Sequence, residues 1–113
     1  MINKIKIVRG TTNTFIITVN DESGAAYQLV GDEKIVFGVK RDPNDAEFAL
    51  LKTATFAESD GVYSVTLVPE DTKDLNCINY SYDVSLQSGA NFFNIIEPSP
   101  FIITPNITAP GVV

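Results

Sequence analysis

The sequence predicts an all-β domain in which about seven short strands form two antiparallel sheets packed face to face. Two observations support this class. Apolar residues alternate with polar ones over short stretches, as in half-buried strands. Turn-forming residues interrupt these stretches roughly every 8–12 residues, the spacing that sandwiches and barrels produce. At 113 residues, the chain is long enough to bury a two-layer core without a metal or a disulfide.

The first half of the chain contains four predicted strands and one short extended piece. Residues 4–8 alternate charged with apolar side chains, and in residues 14–20 Phe15, Ile17 and Val19 share one face. The turn after them ends in Gly24, a residue suited to a positive φ angle. The extended piece is at residues 26–29. The next two strands are predicted at the following ranges: 34–41 and 48–56.

The second half has one short helical segment among its strands. Residues 62–68 alternate as a strand does, and so do residues 80–86, where Tyr80, Tyr82 and Val84 share one face. Between them, residues 69–75 predict about one helical turn, because Pro69 suits the first helical position and acids follow it. Residues 91–96 and 100–104 are expected to form a last strand broken at Pro98. One domain is therefore predicted at residues 1–104, with a C-terminal tail at residues 105–113.

Composition argues against several classes of function. The net charge of −6 leaves no positive surface for a nucleic acid, so no nucleic-acid partner is expected. No apolar run approaches the roughly 18 residues of a membrane helix, so no membrane association is expected either. The N-terminus lacks the apolar segment of a signal peptide. The single cysteine, Cys77, cannot form an intrachain disulfide, which agrees with folding in a reducing cytoplasm.

The residue types that carry most catalytic chemistry are scarce. The chain has no histidine, which removes the commonest general base and metal ligand. Glu70 and Asp71 are adjacent carboxylates, but neighbours on a turn diverge, and a capped helix start is the better interpretation. Residues 42–45 resemble the opening of a calcium loop, yet Ala46 stands at its fifth position. The sequence therefore predicts a protein that is not an enzyme and holds no cofactor or metal.

Three aromatic residues are the candidates for a binding surface. Phe92 and Phe93 adjoin each other after a loop, so one of them faces outward if their segment is a strand. A strand buried on both faces, or a bulge, is equally consistent with the pair. Tyr27 lies near a loop and suits either the edge of the core or a binding platform.

Three stretches, taken in order, carry a resemblance to a known family. They comprise RGT (9–11), FIITV (15–19) and DESG (21–24); then IVFGVK (35–40), DP (42–43) and LKT (51–53); then GVY (61–63), PEDT (69–72) and YSYDVSL (80–86). The resemblance that they carry covers roughly residues 8–104. They resemble the immunoglobulin-like domain of phage and prophage tail and baseplate proteins, and are similar to the N-terminal domain of lactococcal phage baseplate upper proteins.

The resemblance implies an immunoglobulin-like β-sandwich and a non-catalytic structural role in the tail of a phage or prophage. The implied partners are other tail or baseplate proteins, with homo-oligomers as a further expectation, and the implied location is the virion. Strand edges and the two ends of the chain, residues 1–9 and 105–113, are the expected contact segments. The family pattern also implies that Tyr80 or Tyr82 ties a loop back to the backbone.

A carbohydrate- or cell-surface-binding adhesion module is the alternative function, because sandwich folds host many unrelated sites. It predicts a cluster of exposed aromatic residues with polar partners at Tyr27, Phe92 or Phe93. The absence of tryptophan counts modestly against a stacking platform.

Overall fold

The strands follow the apolar–polar alternation along most of the chain. The computed structural model describes residues 4–29, 31–56, 61–89 and 91–107. No helix within these ranges is long and apolar enough to cross a bilayer. The elements in these ranges are eight strands and one short helix: β1 (Ile5–Val8), β2 (Asn13–Thr18), β3 (Lys34–Lys40), β4 (Leu50–Thr53), β5 (Thr55–Phe56), β6 (Val62–Leu67), α1 (Pro69–Thr72), β7 (Asn79–Gln87) and β8 (Phe92–Thr104).

The strands form two sheets, so the all-β prediction is confirmed. The five-stranded sheet has the order β1-β8-β7-β3-β4, and the three-stranded sheet has the order β2-β6-β5. The neighbouring strands pair antiparallel in both sheets, apart from β1 and β8, which run parallel with Ile5 opposite Phe101. The expectation of purely antiparallel sheets is wrong at this pair. Parallel pairing needs a long connection, and nearly the whole chain connects β1 to β8.

The core lies between the two sheets and is built from alternate residues of each strand. In β3, Ile35, Phe37 and Val39 are at most 1% exposed. The Phe37 ring centroid lies 5.3 Å from that of Tyr82 and 6.0 Å from that of Phe101. Because strand side chains alternate between faces, this core fixes which residues of the larger sheet face away from it.

Residues 48–56 form two strands where the sequence predicts one. β4 pairs with β3 in the larger sheet, whereas β5 pairs with β6 in the smaller sheet. Ala54 lies between them, and its N–H donates to the carbonyl of Ile35 at 2.8 Å. The chain is thus held against β3 up to Ala54 and then crosses to the other sheet. Strand propensity is the same on both sides of the crossing, so tertiary contacts decide where it occurs.

The last strand runs through Pro98 without the predicted break. β8 is 13 residues long, and its register with β7 shifts between Tyr82 and Val84 and again between Val84 and Ser85. These shifts are β-bulges, which absorb extra residues of β8. Bulges and sheet edges are where a strand tolerates proline. Within the described residues, β1 covers only the end of β8, from Phe101 to Thr104.

The helix α1 is shorter than predicted and is fixed by two side chains. The Asp71 carboxylate accepts the Val68 N–H at 2.8 Å and forms an ion pair with Lys52 at 3.0 Å. The interpretation of Asp71 as a helix cap is therefore confirmed. Thr72 is 0% exposed, and its Oγ1 accepts the N–H of Gly10 at 2.8 Å. This bond joins α1 to the chain immediately after β1.

The turn at residues 21–24 forms as predicted, with Gly24 at φ +89°. The short extended piece at residues 26–29 forms no strand, and an isolated bridge joins Asn20 to Ala26 there. Of the predicted tail, residues 105–107 are described. Residues 108–113, like residues 1–3 of the other expected contact segment, lie outside the described ranges.

Candidate interaction surface

Phe92 and Phe93 are adjacent in β8 and lie on opposite faces of the larger sheet. Phe92 pairs with Gln87 and faces away from the smaller sheet, whereas Phe93 pairs with Leu86 and faces toward it. Both remain well exposed, at 61% for Phe92 and 57% for Phe93. They therefore belong to two separate surfaces.

The outer face is the side of β3, β4, β7 and β8 that points away from the smaller sheet. It carries three large exposed apolar side chains. These are Phe92 from β8, Leu51 from β4 at 53% exposure and Phe48 from the segment before β4 at 50%. Two of them, Phe48 and Phe92, line a groove of about 220 Å³ together with Pro98.

Gly38 forms part of this groove because the ring of Phe48 lies directly over it. A Cβ atom at Gly38 would lie 2.9 Å from Cε1 of Phe48 and 3.6 Å from Cδ1 of Leu51. The Phe48 ring is held from above by Lys40, whose Nζ lies 4.7 Å from the ring centroid. Lys40 Nζ also donates to the Asp45 carbonyl at 2.7 Å. Phe48 therefore has a defined position although half of it is exposed.

The floor of the groove is polar. Asp83 stands opposite Gly38 in the β3–β7 pairing, between Ser81 and Ser85 on the same face of β7. Burial raises the pKa of the Asp83 carboxyl, and the nearby charge of Lys40 opposes that increase. Asp83 is therefore a partly desolvated carboxylate in a groove with aromatic walls. It can accept a hydrogen bond from a binding partner.

The end cleft is the second surface and contains the other two predicted residues. Tyr27 and Phe93 both line this cleft of about 540 Å³, together with Glu33. The Tyr27 hydroxyl donates to both carboxylate oxygens of Glu33 at 2.8 Å. This hydrogen bond raises the pKa of Tyr27, because ionising the phenol would leave two negative charges side by side.

The structure thus brings Tyr27 and Phe93 together and places Phe92 elsewhere. Sequence reasoning missed Phe48 and Leu51, which complete the surface around Phe92. A signal for Leu51 was present, since consecutive residues Leu50 and Leu51 in one strand cannot both face the core. Leu50 is 8% exposed and Leu51 is 53% exposed. The position of Phe48 depends on Gly38, which lies on β3, so no pattern in the sequence around Phe48 predicts it.

Among the described residues, no group of three or more Cys, Asp or Glu side chains is placed to hold a metal ion. Cys77 is a free, half-buried thiol. Asp71 is engaged by Lys52 and by the Val68 N–H, so it serves the local structure.

Comparison with known proteins adds no relative to these observations. No family model matches the sequence, and no curated protein is significantly similar to it.

Proposed function

We propose that the chain is an immunoglobulin-like β-sandwich that serves as a non-catalytic assembly domain in the tail of a phage or prophage. In this proposal it acts in the baseplate or a fibre-associated position, through protein–protein contacts with other tail proteins. The proposed location is the virion.

The order of the strands supports the immunoglobulin-like part of the proposal. In such sandwiches the third, sixth and seventh strands of the core pattern form one sheet, and the second, fourth and fifth strands form the other. Here β3, β7 and β8 are neighbours in the larger sheet, and β2, β6 and β5 make up the smaller one. β1 lies beside β8, and β4 extends the larger sheet beyond β3.

Tyr80 adds a second feature of that fold. Immunoglobulin domains have a tyrosine near the start of the sixth core strand whose hydroxyl bonds to the backbone a few residues upstream. Tyr80 is the second residue of β7, and its hydroxyl donates to the carbonyl of Asn76 at 3.0 Å. Both candidate tyrosines belong to the core, and Tyr80 has this geometry.

The observation that carries the assembly function is the apolar character of the outer face. Phe48, Leu51 and Phe92 are each at least half exposed, and large exposed apolar side chains that share one face mark interaction sites on soluble proteins. The outer face is a better surface for protein–protein contact than the unpaired edge of β8. Bulges and the residues Pro98 and Pro100 interrupt that edge and disfavour the addition of a strand.

Mass spectrometry of particles purified from the induced source strain tests this function. We expect the protein to co-purify with tail proteins in a fixed stoichiometric ratio, and cross-links to start from residues of the outer face. A Phe92→Asp variant should be lost from the particles, whereas Ile16→Asp should be retained. Ile16 is a matched control because it is 62% exposed but lies on the smaller sheet. Recovery of intact tails without the protein would contradict the proposal.

The alternative, a carbohydrate- or cell-surface-binding adhesion module, is favoured by the polar floor of the groove. Asp83 and Gln87 line the groove together with Phe48 and Phe92, and aromatic walls beside hydrogen-bonding groups suit a sugar ring. A glycan array distinguishes the two functions. Binding that is abolished by Asp83→Asn would favour adhesion, and an array without hits would leave assembly as the better account.

A further inference from the structure

We propose that the outer face binds the outer face of a second copy of this chain, in a two-fold symmetric dimer. The inference deepens the proposed function, because it uses the same surface and names the partner. In a two-fold symmetric contact the same patch of both copies forms the interface, so that patch has to be complementary to itself.

The distribution of charge supports a second copy as the partner. The chain as a whole carries −6, so most surfaces of two copies repel each other. On the outer face, β3 contributes Lys34 and Lys40 and β7 contributes Asp83. The end cleft, by contrast, is lined by acids such as Asp21 and Glu33. The outer face therefore carries lysines next to its carboxylate, so two acidic molecules repel each other less there than at the end cleft.

The positions of Lys40 and Asp83 make the face complementary to itself. Gly38 stands opposite Asp83, and Lys40 is two residues further along β3, so Lys40 and Asp83 are diagonal neighbours on adjacent strands. A two-fold axis that lies between the facing sheets and passes midway between these residues places each Lys40 over the Asp83 of the other copy. In the dimer, Lys40 Nζ would leave the Asp45 carbonyl, to which it donates in the single chain, and extend toward the other copy, since facing sheets pack about 10 Å apart.

The apolar residues add the attraction that such an ion pair lacks. Phe48, Leu51 and Phe92 are half exposed or more, and covering them removes apolar surface from water. The raised pKa of Asp83 indicates a carboxylate that has lost part of its hydration, and a second ammonium group from the other copy would compensate that loss.

The size of the face sets the expected strength. Four strands about 4.8 Å apart and about seven residues long make a surface of roughly 19 by 24 Å, or about 460 Å². Stable complexes bury about 800 Å² per partner. The dimer should therefore be weak and in rapid exchange, with a dissociation constant between about 10 µM and about 1 mM.

Analytical ultracentrifugation of the full chain, from about 10 µM to about 1 mM, tests the inference over this range. We expect a monomer–dimer equilibrium in the wild-type protein. Phe92→Asp and Leu51→Asp should each weaken dimerisation at least about ten-fold, while Ile16→Asp on the smaller sheet leaves it unchanged. Circular dichroism shows that each variant is folded, and two variants keep the test valid if one of them is not.

A charge-exchange experiment tests the proposed pairing itself. In Lys40→Glu both residues of the proposed pair are acidic, and in Asp83→Lys both are basic. Each variant alone should therefore be monomeric. An equimolar mixture should form a heterodimer, visible by native mass spectrometry. A general loss of stability in either variant does not produce this rescue.

A wild-type protein that is monomeric at about 1 mM, or a mixture that associates no better than its components, would overturn the dimer. If Phe92→Asp is nevertheless lost from tail particles, the outer face binds another tail protein and the proposed function stands.

Discussion

Replacing Thr72 with valine removes one hydroxyl group while keeping the branched shape of the side chain. Thr72 is 0% exposed, and its Oγ1 accepts the N–H of Gly10 at 2.8 Å across 62 positions of sequence. Gly10 is buried as well, so water does not take the place of the lost acceptor. The variant therefore leaves a buried backbone N–H without a hydrogen bond.

The expected cost follows from that unsatisfied donor. A buried polar group that loses its partner destabilises a protein by about 1–3 kcal/mol, more than the net value of a typical hydrogen bond. For a domain of this length, about 2 kcal/mol corresponds to a decrease in Tm of roughly 6–12 °C. That is a large share of the 5–15 kcal/mol that typically stabilises a domain.

Urea denaturation followed by circular dichroism measures this change, with Thr72→Ser as the control. Serine keeps the hydroxyl and loses one methyl group, so it should cost about 1 kcal/mol for the lost contact while the slope of the denaturation curve stays the same. If valine destabilises the protein by less than about 0.5 kcal/mol, or by less than serine does, the hydroxyl of Thr72 does not stabilise the fold through the Gly10 N–H.

Three further predictions concern single side chains. Tyr80→Phe loses the hydrogen bond to the Asn76 carbonyl and should lower the free energy of unfolding by about 1 kcal/mol in urea titrations; no change would exclude a stabilising role for this bond. Asp83→Asn should stabilise the monomer at neutral pH, because the folded state raises the pKa of Asp83 above its ordinary value of 3.8 and so favours the protonated form. Wild-type stability relative to the variant should decrease as pH rises from 3.8 through the raised pKa, and then level off; denaturation curves of dilute protein across this range would show the opposite slope if the carboxylate were instead stabilising. Gly38→Ala displaces the Phe48 ring, whose Cε1 would lie 2.9 Å from the new Cβ; since that ring is half exposed, stability should fall by less than about 1 kcal/mol while dimerisation measured by ultracentrifugation weakens, and unchanged dimerisation would show that Phe48 is not part of the contact.

Local patterns in the sequence predict most of the strands but not their partners. The alternation in residues 80–86 sets the faces of β7 correctly, with Tyr82 and Val84 in the core. The parallel pairing of Ile5 with Phe101 joins residues far apart in sequence, and no local propensity encodes it. The same holds for the crossing at Ala54, which a pattern of period two does not distinguish from a continuous strand.

The candidate surface was predicted in part, for similar reasons. Adjacent residues such as Phe92 and Phe93 point to opposite faces of any strand, so exposure of one of them follows from geometry. That both are exposed depends on where the smaller sheet ends, which is a property of how the two sheets pack together. The ring of Phe48 lies over Gly38 because this glycine, on β3, has no side chain to exclude it. The contact joins residues of different elements, so the pattern around Phe48 does not predict it.

The parallel pairing of β1 with β8 determines how the domain responds to mechanical load. Tension applied at Ile5 and at Thr104 pulls the two strands in opposite directions along their length, because each is loaded at the opposite end of the pair. The ladder from Ile5↔Phe101 to Val8↔Thr104 is then strained in shear, together with the bond from the Arg9 N–H to the Thr104 carbonyl. Hydrogen bonds loaded in this way break together, whereas those of a hairpin pulled open break one at a time. The domain should therefore resist stretching between these two residues with a high unfolding force.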